Sequence, residues 1–119
     1  MSNLKRKIEN IKIDNKDYVM AFDMTSIDVF QELTGRGILA SLGDLNRFDD
    51  KIVLSFIAST LRSKDDIEKP IGKELYNGDY DLLALEIMLI PTITLILNAG
   101  FPKAKNNKKK VKYRKKLLI

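Results

Sequence analysis

The groups in this chain that could do chemistry are carboxylates, amines and hydroxyls, because it has no His and no Cys. That removes the usual general base near neutral pH, the thiolate nucleophile, any disulfide and the commonest metal ligands. The 16 Asp and Glu residues could hold a hard cation through oxygen alone, but no run of them has the EF-hand spacing. No acid, base and nucleophile fall at a telling spacing. The chain is therefore expected to be no enzyme, with no cofactor, no metal and no small-molecule substrate.

The other chemistry on offer is electrostatic. Nine of the 21 Lys and Arg residues follow Pro102, where there is no acid, among them Lys108, Lys109, Lys110, Lys115 and Lys116. The remaining 12 face 16 acidic residues, so residues 1–102 carry −4 and residues 103–119 carry +9. A low-complexity basic tail of this kind is expected to be disordered and solvated. Nucleic-acid binding through it is an alternative, but only Tyr113 offers a stacking ring and no nucleic-acid fold precedes it. The N-terminal MSNLKRKIEN lacks an apolar stretch, so no secretory signal is expected.

A chain of 119 residues is long enough for one modest core. The expected fold is mainly helical α+β: an N-terminal β-hairpin packed on about four or five helices, over residues 1–102. The hairpin strands run from Ile8 to Asp14 and from Asp17 to Phe22, around Asn15-Lys16. Ile11 and Ile13 share one face, as do Tyr18, Met20 and Phe22, with the period of two that a half-buried strand shows. Such a hairpin is marginal alone and must lay its apolar face on the helices.

The central stretch runs from Asp23 to Ser63. Thr25 to Asp28 fits the capping-box pattern, and Ile27, Phe30 and Leu33 follow at helical spacing up to a stop at Gly35. Ile38, Leu39, Leu42 and Leu45 make a short helical piece. Asp49 is the expected N-cap of the next helix, whose apolar stripe is Ile52, Val53, Phe56, Ile57 and Leu61. Arg62 and Lys64 then stand at its C-terminal end, where the helix dipole favours cations. Pro70 fits the first position of a short helix reaching Tyr76. Asp79 fits the N-cap of a last helix, from Tyr80 to about Asn98.

That last helix has almost no polar face, so it must be buried on all sides, meet a partner, or sit in a membrane. Its apolar run of about 18 residues is at the lower limit for spanning. A small holin-like membrane protein using residues 82–99 is thus a further alternative. Against it, Glu86 lies inside the run, at a cost of roughly 2.5–3.5 kcal/mol in a bilayer, and Pro91 removes a backbone bond. A kinked core helix with surplus apolar surface for a protein partner is the preferred expectation.

The order of parts carries a resemblance. IKIDNKDYVMAFDM leads into SIDVFQELTG, then FDDKIVLSFIASTLR, then GKELYNGDYDLL. Over roughly residues 8–100 this resembles the tail assembly chaperones of long-tailed bacteriophages and prophages of Gram-positive hosts. The resemblance implies a non-enzymatic protein that binds and shields the tape-measure protein and helps recruit subunits of the major tail (tube) protein. It implies the cytoplasm of the bacterial host as location and absence from the mature virion. Homo-oligomers are compatible with it; nucleic acid and membrane are not among the expected partners. Shielding helices calls for adaptable apolar packing, for which Met- and Leu-rich faces suit. The partner-binding candidates on the last helix are Leu82, Leu85, Met88, Ile93, Ile96 and Leu97.

Overall fold

Two strands come first. The computed structural model describes residues 8–100; the basic tail of residues 103–119 lies outside them. Strand β1 (Ile8–Ile13) pairs antiparallel with β2 (Lys16–Ala21), with Ile13 opposite Lys16. The turn is Asp14-Asn15, both at positive φ, one residue earlier than the expected Asn15-Lys16. Asp and Asn tolerate the left-handed region that a two-residue hairpin turn needs, and Lys tolerates it poorly.

The hairpin does not stand alone on the helices. A third strand, β3 (Leu61–Ser63), pairs antiparallel with β2, so the sheet order is β1-β2-β3. β2 is therefore central, and Tyr18, Val19, Met20 and Ala21 are all buried, on both of its faces.

Helix α1 (Met24–Thr34) starts at Asp23, not at the expected Thr25. The Asp23 carboxylate accepts from the Ser26 N–H at 3.1 Å, and the Ser26 hydroxyl accepts from the Asp23 N–H at 3.2 Å. This is a reciprocal capping box with Ser26 in the third position. Gly35 ends the helix in the left-handed conformation, as expected. A 3-10 turn (Leu39–Ser41) leads into the short helix α2 (Leu42–Asn46). Helix α3 (Asp50–Thr60) is capped by Asp49, which accepts from the Ile52 N–H at 3.2 Å.

α3 stops at Thr60, so Arg62 is not a cation at a helix end; it belongs to β3. Ser59 and Thr60 turn their hydroxyls back on the Phe56 carbonyl, at 2.9 and 2.7 Å. This bonding competes with continuation of the helix, and Leu61 is already extended. The expected short helix at Pro70 is a 3-10 turn over Gly72–Tyr76, beginning after Pro70 because Gly72 takes φ 61. Helix α4 (Leu82–Gly100) completes the domain.

The fold is thus a mainly helical α+β domain, a three-stranded antiparallel sheet with four helices. Its core joins Met20 and Leu61 of the sheet to Phe30, Phe56, Ile57, Leu75, Leu89 and Ile96. Phe56 also meets the Phe22 ring, with centroids 5.8 Å apart.

Candidate functional site

α4 begins at Asp81, whose carboxylate accepts from the Ala84 N–H at 3.1 Å and whose carbonyl accepts from the Leu85 N–H at 3.0 Å. Asp79, the expected cap, is instead held in a turn by the Asn77 side chain, at 3.0 Å. Pro91 lies inside the helix, and the Thr94 hydroxyl donates to the Ile90 carbonyl at 3.1 Å. With 19 residues at 1.5 Å each, the helix is about 28 Å long.

Leu85, Leu89, Ile93 and Ile96 recur at helical spacing and are all buried, against α3 and β1 among others. The opposite side is open. Leu83, Ile87, Met88 and Leu95 are 64, 67, 45 and 54% exposed, and Ala84, Pro91, Thr94 and Asn98 on the same side are exposed as well. Charge is absent from this face. The single ionisable residue of α4 is Glu86, and it is buried at 8% exposure. A soluble helix normally turns its polar residues outward; α4 turns apolar ones outward and buries its carboxyl.

Glu86 faces Asp50, at the first turn of α3. Burial raises its pKa first, then the hydrogen bond and the negative charge of Asp50, to about 7. At the other side of the α4 start, Tyr80 meets Tyr18 edge-on, with the two hydroxyls 3.3 Å apart. Burial, with that hydrogen bond, pushes the Tyr80 phenol above its ordinary value. A cavity of about 150 Å³ opens here between the hairpin tip and α4, lined by Ile13, Tyr80, Ala84 and Met88 among others. It continues the apolar face toward Lys12 and Asp14.

Of the six candidates read from the sequence, the structure leaves only Met88 on the open face. Leu85, Ile93 and Ile96 are core, and Leu82 and Leu97 are partly buried against it. The exposed apolar residues beside Met88 are instead Leu83, Ile87 and Leu95. An all-apolar helix has no polar side from which to read its orientation. The usable signal was weak: Ile87, Pro91, Thr94 and Asn98 lie within one arc of the helical projection, and two of them are polar.

Among the described residues there is no cluster of three or more potential metal-ligating side chains. Comparisons with protein-family models, with curated proteins and with solved structures each return no match.

Proposed function

We propose that this protein is a non-enzymatic tail assembly chaperone, which shields helical segments of a tape-measure protein and passes them to tail-tube subunits. The observation that carries the proposal is the uncharged, exposed apolar face of α4 on an otherwise well-packed domain. Such a face is what an interaction surface presents, and its length and shape suit the apolar stripe of a second helix laid alongside. Full burial of a Leu, Ile or Met side chain contributes about 1.5–3 kcal/mol. Four roughly half- to two-thirds-exposed chains therefore offer roughly 3–7 kcal/mol before association costs of about 4–15 kcal/mol. One copy alone binds weakly, as suits a chaperone that must let go.

The test is co-expression with the tape-measure protein of a long-tailed phage of this type. The wild-type chain should keep that partner soluble and co-purify with it, and Ile87→Asp and Leu95→Asp should lose both properties while melting like the wild type. Equal rescue by wild type and variants would sink the α4 reading.

A membrane reading has one observation in its favour. The window Leu82–Ala99 has a mean hydropathy of 2.0, is only 28% buried, and is long and apolar enough to cross a bilayer. The packing of Leu85, Leu89, Ile93 and Ile96 into the core weighs against it, because a spanning helix would have to leave that core. Flotation with liposomes separates the two: the chaperone reading has the protein stay with the soluble fraction.

A further inference from the structure

Phe48 stands where glycine is the usual residue. Its N–H donates to the Leu45 carbonyl and the Asp49 N–H to the Asp44 carbonyl, each at 3.0 Å, closing α2 in the Schellman pattern. The position between those two bonds takes φ 57, in the left-handed region that carries a steric cost for any side chain. The ring gains little from its own chain in return, since Phe48 is 52% exposed. Neither backbone ease nor full burial accounts for an aromatic residue here.

A few residues further on, between the end of α1 and the start of α3, lies an open groove of about 410 Å³. Leu33, Ile52 and Leu54 give it an apolar lining, and Tyr76, itself 45% exposed, forms part of the wall. Arg36 and Lys51 add positive charge. Arg36 is held by Asp44 at 3.0 Å, whereas Lys51 has no ion pair among the described residues.

We propose that the chain forms a two-fold dimer in which Phe48 of each copy enters this groove of the other. The groove has the volume for a phenyl ring, and about half of the Phe48 side chain is open to solvent. Charge agrees: Asp49, exposed although its carboxylate caps α3, follows Phe48 directly, so its negative charge would lie near Lys51 of the other copy. Knob and groove are only four residues apart at Phe48 and Ile52, at one end of the α1–α3 pair. A single two-fold rotation can therefore satisfy both insertions at once, which is the self-complementarity of the commonest dimers. One ring and one groove per copy bury less than the about 800 Å² per partner of a stable interface, so the dimer dissociates on dilution. This surface is separate from the open face of α4, and the proposal does not depend on the chaperone reading.

Sedimentation velocity of the full chain over a wide concentration range tests it. The wild type should move from monomer to dimer as concentration rises. Phe48→Gly should stay monomeric over the same range while its thermal midpoint rises, because glycine removes the left-handed cost. Lys51→Glu should weaken association, and Ile87→Asp on α4 should leave it unchanged. A wild type that stays monomeric, or assembles beyond a dimer, overturns the proposal. So does Phe48→Gly associating like the wild type, or melting below it, since the latter would mean that the ring packs within its own chain. Loss of association in Ile87→Asp alone would place the contact on α4 and overturn it as well.

Discussion

Both terminal nitrogens of Arg62 hold the Asp23 carboxylate, at 2.9 and 2.8 Å, across 39 residues of sequence. Arg62 is fully buried, and it also donates to the Ser26 hydroxyl at 2.8 Å and to the Ile67 carbonyl at 2.9 Å. The same carboxylate caps α1. One bidentate pair thus ties the start of α1, strand β3 and the loop after it into a single corner. Its geometry is the planar fork that Arg, not Lys, can supply.

Arg62→Ala is expected to destabilise the fold by about 3–5 kcal/mol, because it strands a partly buried carboxylate. Asp23→Asn should cost less, since Asn still caps a helix. Urea melts of the two single variants and the double variant give the coupling between them. A coupling near zero would show that the corner is held by other contacts.

Glu86 makes stability depend on pH. Unfolded, it ionises near its ordinary 4.5; folded, near 7. The fold favours the protonated form, so this contribution is whole below about pH 4.5 and is lost as pH rises through about 7. Melts at mildly acidic and mildly alkaline pH should show the loss in the wild type. Glu86→Gln, which stays neutral, should flatten that part of the profile and be the more stable chain at alkaline pH. An unchanged profile in Glu86→Gln would mean that the Glu86–Asp50 contact does not set it.

Phe56 is completely buried between α1, the sheet and the rest of the core. Phe56→Ala should cost about 3–5 kcal/mol in a denaturant melt, the usual loss for a buried aromatic. A change below about 1 kcal/mol would contradict the packing described for α3.

The open face of α4 can be checked without any partner. Ile87→Asp replaces an exposed apolar side chain, so its effect on stability should stay within about 0.5 kcal/mol. Binding of a hydrophobic dye should fall clearly, because the variant puts a charge in the middle of the exposed apolar strip of α4. Undiminished dye binding would locate the exposed apolar surface elsewhere, at Leu39 or Phe48 for example.

What the sequence determined by itself is local and periodic. Phe30, Phe56 and Ile57 recur on helix faces, and they and Leu61, which the fold places in β3, are all fully buried. Asp49 caps α3 and Gly35 stops α1, because a short carboxylate side chain and a missing Cβ act within one turn of the backbone. The alternating apolar residues around Asp14-Asn15 foretell a hairpin. What only the tertiary structure decided depends on residues far apart in the chain. Thr25 and Asp23 could each cap a helix; Arg62, from β3, holds the Asp23 carboxylate. Leu61 to Ser63 is too short to show a strand period, and becomes a strand because β2 offers an unpaired edge. The orientation of α4 is of the same kind. Apolar residues occur all round it, so its pattern cannot choose a side. The choice is made where Leu85, Leu89, Ile93 and Ile96 fill the space left by α3 and the hairpin. That packing leaves Leu83, Ile87 and Leu95 facing outward.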